Sequence, residues 1–265
     1  MFIRSIVVAG TFSALAVGCA GADAEIEDEN QQIIDNLVEA GFPADDIRIV
    51  DEKVYVGNDA VVSLQASQEM LESAPGEEQY RTNNLVGGGN VTICANDQDF
   101  LFDGNFSNAF GQAIANYQNL NAAGISRLGF RRVTGGPDAG CTFFIDVFLV
   151  GGAGGQSGFP AGGAPFSQAL IGADTINFGG VPVLAHVITH ELGHCIGFRH
   201  SDFFNRAISC GGTPVNEGDG GVGANLVPGT PADAVLNGSV MNSCFNGSEN
   251  GLFTGTDITA IDVLY

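Results

Sequence analysis

After about residue 90, apolar residues fall into short runs and into stretches with helical spacing. From Phe106 to Tyr117 they recur every three or four positions, which predicts a helix over 105–120. A second helix is predicted to begin near Pro182, because proline is favoured in the first turn of a helix. Strands are predicted over 90–94, 125–133 and 141–150, the last of which contains a dense apolar run. These helices and strands together indicate an α+β domain.

The N-terminus has the pattern of a secretion signal. Arg4 precedes a short apolar run over 6–17 that ends in small residues, which predicts a signal peptide over 1–24. The run is too short to cross a membrane comfortably. Two readings of its end stay open: Cys19 lies in a stretch that resembles a bacterial lipobox and would carry a lipid anchor, or cleavage occurs near residues 22–24. Either reading predicts a protein outside the cytoplasm, secreted or held at the bacterial outer membrane.

Residues 25–82 are predicted to form a small acidic α+β pro-segment. A helical pattern over 27–40 precedes short strand patterns near 47–50, 54–56 and 61–64 and a second helix over 67–73. So few residues make a weak domain alone, and we therefore expect them to dock on a catalytic domain over 83–265. The stretch 75–84 is the predicted linker and the most accessible place for a maturation cut.

The residues that carry chemistry lie in the string H-E-x-x-H-x-x-G-x-x-H, which runs from His190 to His200. His190 and His194 are four positions apart, so a helix places both imidazoles on one face, where they can bind one zinc ion. Glu191 beside them can reach a metal-bound water. Gly197 allows a sharp exit from the helix, and the chain returns His200 as a third ligand. Three protein ligands leave a fourth position open, which is typical of catalytic zinc.

This string matches that of the metzincin clan of zinc endopeptidases without a gap. Residues 239–243 are similar to the clan's turn with a methionine under the metal, here Met241, and residues 256–265 are similar to the C-terminal helix of matrixins. Within the clan, the chain resembles the bacterial protease B-like family, the dual-action HEIGH metallopeptidases. The resemblance implies a zincin-type α+β fold with a mixed, mainly parallel sheet, two long helices, a Met-turn and a C-terminal helix.

The resemblance also implies a function, a zinc-dependent endopeptidase with one catalytic Zn²⁺. Glu191 would act as the general base, and Met241 would pack beneath the imidazoles and position them. The glycine-rich loop over 151–164 would lead over the site. The strand from Phe166 to Ile171 would then be an edge strand, to which an extended peptide or protein substrate could add, and 174–178 would be the next strand.

A protease with an open zinc position needs a means of latency. Residues 56–60 read V-G-N-D-A, which is similar to the F-x-G-D motif of astacin propeptides, where an aspartate takes the place of the water on zinc. The resemblance implies that Asp59, from the chain's own pro-segment, is a latency ligand. Because Asn58 separates the glycine from the aspartate here, the reading of Asp59 as a simple turn residue is preferred. His186 is not expected to be a ligand, since the motif already supplies three.

The net charge of −21 argues against nucleic acid or an anionic membrane as a partner. Contact with a membrane is then expected only through a lipid anchor at Cys19. Carboxylates could also bind Ca²⁺, although no EF-hand spacing occurs. A non-catalytic binding module is a rival reading, but degenerate copies usually lose the base, and Glu191 is present. A surface adhesion lipoprotein is the other rival, favoured only if Cys19 is lipidated and no peptide is cut.

Five cysteines remain after the one in the signal. An odd number means that at least one is unpaired within the chain. Cys94 and Cys141 lie on predicted strands that could be neighbours. Cys210 could pair with Cys244 or with Cys195, and a buried free thiol is the simpler reading of Cys195.

Overall fold

The computed structural model of the chain describes residues 20–39, 42–57, 59–70, 80–218, 224–231 and 233–265. The predicted signal peptide lies outside these residues except for its last positions, and Cys19 lies outside them too. The predicted linker lies outside them up to residue 79. Among the described residues, no helix is both long enough and apolar enough to span a bilayer.

The described residues form helices and strands that confirm the predicted α+β class. The helices are α1 (Ala20–Glu39), α2 (Leu64–Met70), α3 (Gly104–Ala122), α4 (Ile176–Cys195), α5 (Ala207–Cys210) and α6 (Gly255–Leu264). The strands are β1 (Arg48–Val50), β2 (Lys53–Val56), β3 (Ala60–Val62), β4 (Tyr80–Arg81), β5 (Val91–Asn96), β6 (Leu128–Val133), β7 (Phe143–Val150), β8 (Gly155–Gly158), β9 (Gln168–Gly172) and β10 (Asn225–Leu226). One large sheet has the order β1-β2-β3-β8-β9-β7-β5-β6, and β4 pairs with β10.

The centre of the large sheet is parallel, as the resemblance implies. β6, β5, β7 and β9 run in one direction, and β8 is antiparallel to β9. Parallel strands are normally covered by helices and rich in apolar residues, and here α3 and α4 pack together over a core shared with these strands. Phe110, Ile145 and Ile188 are fully buried in it. Burial of one such side chain contributes about 1.5–3 kcal/mol, so this core holds α4 firmly.

The described part of the predicted pro-segment has a small core of its own. Helices α1 and α2 and strands β2 and β3 contribute to a cluster of buried apolar side chains, among them Ile33, Leu37, Val54, Val56 and Val62. Strand β3 also pairs in parallel with β8, with Ala60 opposite Ser157 and Val61 opposite Gly158. Phe159, which follows β8, packs into the same cluster. The segment therefore docks by extending the large sheet.

The prediction of an edge strand from Phe166 to Ile171 is wrong. These residues lead into β9, which lies between β7 and β8. The apolar pattern could not reveal β8, because this strand reads Gly-Gln-Ser-Gly and has no large apolar side chain. Its glycines permit close backbone packing, since a Cβ on Gly158 would lie 2.6 Å from the carbonyl oxygen of Val61.

The strand predicted over 174–178 is also wrong. The residues after β9 form a 3-10 turn over Ala173–Thr175 and then begin α4. The hydroxyl of Thr175 accepts a hydrogen bond from the backbone N–H of Gly154 at 2.9 Å. This contact ties the start of the helix to the glycine-rich loop, and the sequence over 174–178 gave no sign of it.

Residues 80–82, which fall in the predicted linker, pair with the chain just after α4. The backbone N–H of Thr82 donates to the carbonyl oxygen of Gly197 at 2.8 Å, and the N–H of Arg199 donates to the carbonyl oxygen of Tyr80 at 2.8 Å. Tyr80 itself is buried against Phe203. These contacts brace the turn that leads to the third histidine of the motif.

Two disulfides fix loops around this framework. They join Cys94 to Cys141, 47 residues apart, and Cys210 to Cys244, 34 residues apart. Cys195 is buried as a free thiol. The expected neighbouring pair and the free thiol are confirmed, and the partner of Cys210 is Cys244. Closing loops of this length contributes about 2–4 kcal/mol each.

Candidate metal centre

Helix α4 carries the first two histidines of the motif, His190 and His194, on its buried part. Non-helical dihedral angles at Gly179 and Gly180 interrupt the helix, and its regular part begins beside Pro182, close to the predicted start. From Val183 to Cys195 every residue is buried. A helix packed on all sides cannot rotate about its axis, so its imidazoles are held in fixed directions.

The turn after α4 requires glycine. At Gly197, φ is +110°, and a Cβ there would lie 2.8 Å from the carbonyl oxygen of Asn84. Residues with a side chain rarely adopt such a φ, and the neighbouring backbone leaves no room for one. The turn reverses the chain, so that His200 faces the two helical histidines, as the sequence predicted.

The three motif histidines direct their Nε2 atoms at one point. Nε2 of His200 lies 3.3 Å from Nε2 of His194 and 3.3 Å from Nε2 of His190. Zinc–nitrogen bonds of about 2.0–2.1 Å in a tetrahedron would place two ligand nitrogens roughly 3.3–3.4 Å apart. The spacing of the three nitrogens therefore fits a tetrahedral zinc ion.

The other ring nitrogen of each histidine faces an acceptor. Nδ1 of His190 lies 2.8 Å from the carbonyl oxygen of Val240, and Nδ1 of His194 lies 2.7 Å from that of Phe198. Nδ1 of His200 lies 2.8 Å from Oε1 of Glu217. These contacts assign the ring proton to Nδ1 and leave the Nε2 lone pair pointing inward. Lone pairs that face each other at this distance are stable only around a shared cation or proton.

The carboxylate of Asp59 lies at the fourth corner of the cluster. Its Oδ2 is 3.0 Å from Nε2 of His200 and 3.9 Å from Nε2 of His190, and its Oδ1 is 3.8 Å from Nε2 of His194. All four ligand atoms lie within 4.8 Å of one another. Among the described residues, Oδ1 of Asp59 has no hydrogen-bond donor although it is buried. Three nitrogens and a carboxylate are a donor set that suits Zn²⁺.

The pKa values of the four clustered side chains are shifted from their ordinary values. Burial lowers the pKa of His190 to about 4, and the neighbouring His200 adds to the effect. Burial also lowers the pKa of His194, and the neighbouring His190 adds to that shift. Burial acts in the same direction on His200, but the carboxylates of Asp59 and Glu217 outweigh it and raise its pKa well above the usual value. The pKa of Asp59 falls below its usual range despite burial, because the three histidines stabilise the charged form. The site thus combines an anionic carboxylate with two imidazoles, those of His190 and His194, that favour the neutral form, and with a third, that of His200, which the two carboxylates bias toward the protonated form.

Glu191 lies beside the cluster in a closed pocket. Its side chain is 2% exposed, and Oε2 accepts a hydrogen bond from Oγ of Ser157 at 2.7 Å. Burial, together with the negative charge of Asp59, raises its pKa well above the usual value. The strand β8 comes so close that a Cβ on Gly155 would collide with the carboxylate. This carboxyl group therefore holds a proton more readily than an exposed glutamate does.

The predicted Met-turn lies under α4. Met241 is 2% exposed, and a Cβ on Gly193 would lie 2.6 Å from its sulfur. The buried carboxylate of Asp257, in α6, accepts hydrogen bonds from Oγ of Ser239 at 2.5 Å and from the N–H of Val240 at 3.0 Å. The C-terminal helix therefore holds the turn whose Val240 carbonyl oxygen orients His190.

A cleft of about 160 Å³ opens next to the cluster. It is lined by Asp59, Gly155, His190 and Glu191 on the metal side and by residues such as His186, Arg206, Ser243 and Phe245 further along. The ring of His186 lies 6.4 Å from that of His190, centroid to centroid, and is not one of the clustered ligands. Burial and the neighbouring His190 lower the pKa of His186 to about 3, so this ring lines the cleft in its neutral form.

Three residues of the site were not found by sequence reasoning, namely Ser157, Gly155 and Glu217. Ser157 and Gly155 lie in a glycine-rich stretch without periodicity, and Glu217 lies in a turn-rich stretch. Their roles depend on long-range contacts that no spacing rule describes. A lone carboxylate between Asn216 and Gly218 in a loop carries no signal of burial.

Comparison with known proteins assigns a family. The family model of the dual-action HEIGH metallopeptidases matches residues 54–265, which include Asp59 as well as the histidine motif. A search of curated proteins finds no match. Among solved structures, the crystal structure of myroilysin is similar, with 15% identity over 83% of this chain and 98% of that chain and a TM-score of 0.37. At that TM-score the likeness supports no conclusion about function.

Proposed function

Because the chain belongs to the family of dual-action HEIGH metallopeptidases, we propose that it is an endopeptidase that cuts extended protein substrates. The family implies a catalytic zinc ion, which His190, His194 and His200 would hold. One observation carries the proposal: the Nε2 atom of His200 lies 3.3 Å from that of each other histidine, with a buried carboxylate alongside.

Glu191 is proposed as the general base. Zinc bound at the histidines would lower the pKa of a water ligand to about 7 and polarise the substrate carbonyl. The carboxylate of Glu191 would accept the proton of that water and later deliver it to the leaving nitrogen. The hydroxyl of Ser157, 2.7 Å from Oε2, would keep the carboxylate facing the cleft. The place of Glu191 in the lining of the cleft, beside His190, supports this role.

We propose that the N-terminal segment is a pro-segment and that Asp59 keeps the enzyme latent. Its carboxylate lies 3.0 Å from Nε2 of His200, where the reactive water would have to bind. The adjoining strand β3 covers the outer edge of β8. A segment that blocks both the metal and the neighbouring strand would prevent cleavage until it is removed.

The same contact indicates where a substrate would bind. Strand β8 is flanked on one side by β9 and on the other by β3. Once β3 has left, the backbone N–H and C=O groups of Gln156 to Gly158 could pair with an extended peptide. Such pairing depends on backbone groups and requires little of the substrate sequence. The substrate edge is therefore proposed at β8 and not at the strand from Phe166 to Ile171.

We propose that the protein acts outside the cytoplasm. The two disulfides support this location, because such bonds form and persist in oxidising compartments. The apolar run over 6–17 would direct export, followed by either lipidation at Cys19 or plain cleavage. Mass spectrometry of the protein from its native membrane and medium fractions would distinguish the two. Calcium binding by surface carboxylates stays a separate proposal, tested by the effect of Ca²⁺ on thermal unfolding.

Digestion of casein or gelatin tests the proposed activity. The protein, after limited proteolysis to remove the N-terminal segment, should cut these substrates, and a zinc chelator should abolish the cutting. Added zinc should restore it. Metal analysis of the same preparation should find one zinc per chain. A preparation that carries zinc and cuts no protein would favour the binding-module reading.

A further inference from the structure

His200 differs from the other two histidines in the group that orients it. The Nδ1 atoms of His190 and His194 face backbone carbonyl oxygens, whereas Nδ1 of His200 faces Oε1 of Glu217 at 2.8 Å. A carboxylate acceptor makes a hydrogen bond roughly twice as strong as a neutral one. It also makes the imidazole a better donor to a metal.

Glu217 is held in place by contacts on several sides. Its side chain is 2% exposed. Nε of Arg206 lies 3.0 Å from Oε1, Nη2 of Arg199 lies 3.7 Å from Oε2, and Oγ of Ser243 lies 3.5 Å from Oε1. A buried carboxylate is costly unless charges and hydrogen bonds compensate for the lost water. Here two guanidinium groups and an imidazole N–H do so, and they leave the carboxylate little freedom to move.

The N-terminal segment closes the remaining side. A Cβ on Gly57 would lie 3.2 Å from Oε2 of Glu217, so the backbone before Asp59 rests against this carboxylate. The N–H of Gly57 donates to Oδ2 of Asp46 at 3.0 Å, which keeps this turn in its place. Glu217 therefore lies behind the third histidine, in a pocket walled by both parts of the chain.

We propose that Glu217 is a positioning residue that orients His200 and sets the affinity of the site for zinc. The inference rests on the proposed metal centre and adds a residue to it. Oε1 accepts the Nδ1 proton of His200, which keeps the Nε2 lone pair directed at the metal. Loss of such an outer partner typically costs about 10–100-fold in metal affinity.

Two conservative variants separate positioning from mere charge balance. Glu217→Gln keeps the reach of the side chain and an oxygen that can accept from Nδ1, but it loses the charge. Glu217→Asp keeps the charge that balances Arg199 and Arg206, but its oxygens no longer reach Nδ1. If Glu217 positions His200, the Gln variant binds zinc more tightly than the Asp variant. If it only balances the arginines, the order is reversed.

The measurement is a zinc competition titration of the full chain against a chromophoric chelator, with thermal unfolding of the zinc-free proteins as a second readout. We expect the Asp variant to lose about 10–100-fold in zinc affinity and the Gln variant to lose less. Asp97→Asn is the matched control, because Asp97 is a buried carboxylate paired with Arg132 and has no contact with the histidines. Its zinc affinity should equal that of the unsubstituted chain even if its stability falls.

Equal zinc affinities for the two Glu217 variants, or tighter binding by the Asp variant, would overturn the role of Glu217. Those results leave the metal centre itself intact. Failure of the unsubstituted chain to bind zinc is a different result, because it would overturn the proposed function from which this inference starts.

Discussion

The four groups of the metal cluster are supported in two different ways. Each histidine is held through its Nδ1 atom, by the Met-turn for His190, by the chain just after Gly197 for His194 and by Glu217 for His200. Asp59 comes from the turn before a three-residue strand, and that strand has only two residues in register with β8. Its carboxylate is 14% exposed, whereas the side chain of each histidine is 5% exposed or less.

This difference indicates a permanent set of ligands and a releasable one. The histidines cannot leave without disrupting the fully buried helix that carries two of them. Asp59 can leave together with the small cluster around Leu37 and Val56, and the large core stays whole. The proposed latency requires this asymmetry, since activation would have to open one metal position and keep the other three.

The largest expected effect contrasts the two kinds of ligand directly. His194→Ala should lose bound zinc and reduce hydrolysis to background, because two imidazoles hold the ion poorly. Asp59→Ala should keep one zinc per chain. Metal analysis after dialysis measures both. One zinc per chain in the His194→Ala variant would show that the histidines are no more necessary for zinc binding than Asp59.

Substitution of Glu191 tests whether this residue, which lies on the same helix as His190 and His194, acts as the general base. Glu191→Gln should reduce peptide hydrolysis by about 10²–10⁴-fold, the usual contribution of a positioned base. Zinc content should stay unchanged, because the side chain lies beside the ligands and is not one of them. Hydrolysis at the wild-type rate after removal of the N-terminal segment would refute the proposed mechanism.

Latency should depend on the releasable ligand. In the uncleaved chain, Asp59→Ala should raise peptide hydrolysis by about tenfold or more. A tenfold rise corresponds to a loss of roughly 1.4 kcal/mol in the free energy with which the N-terminal segment docks on the rest of the chain. Asp45→Ala is a matched control, because Asp45 is an exposed carboxylate of the same segment. A fluorogenic peptide assay on intact protein measures the difference. Equal latency in the two variants would mean that Asp59 does not hold the segment in place.

A smaller effect is expected at Gly155, where strand β8 packs against the side chain of Glu191. Gly155→Ala would place a methyl group against the carboxylate of Glu191, and overpacking of this kind costs about 1–3 kcal/mol. Thermal stability and hydrolysis should therefore both decrease. Gly151→Ala is the control, since no atom lies within 4 Å of the added methyl group. Similar behaviour of the two variants would show that β8 can move away from the base.

The last prediction concerns where the releasable part ends. Thr82 and Tyr80 pair with the turn before His200, so they belong with the permanent part. Amino-terminal sequencing of the active form should therefore find a terminus at or before Tyr80. A fully active form that begins after Thr82 would place the boundary further along the chain than these hydrogen bonds indicate.

The sequence predicted the part of the site that depends on local geometry. Helical spacing places His190 and His194 on one face, and glycine at 197 permits the turn to His200. The relative positions of the three histidines can therefore be predicted from the short motif alone. The helices and most strands of the large sheet were also predictable, because their apolar residues recur regularly. The odd count of cysteines predicted at least one unpaired thiol, and the preferred candidate, Cys195, is the free one.

The remainder depends on contacts between distant residues. Strand β8 contains only glycine and small polar residues, so its place in the sheet is decided by backbone packing, and β9 was consequently taken for the edge. Asp59 looked like a turn residue, and it does lie in a turn; only the docking of β3 on β8 brings it to His200. Glu217 gave no signal, because its burial depends on two arginines and an imidazole that meet it only in the folded chain.

The shortness of β8 has a consequence for the mature enzyme. If the N-terminal segment departs as proposed, β8 loses β3, which pairs with Ser157 and Gly158, and its outer edge then faces water beside the three histidines. An unpaired edge of this kind can capture any extended chain, including a frayed terminus of another copy of the same enzyme. Four residues are too few to nucleate a lasting aggregate, so capture would end in cutting. In a concentrated solution, molecules of the activated enzyme should therefore cut one another into shorter chains and should not precipitate.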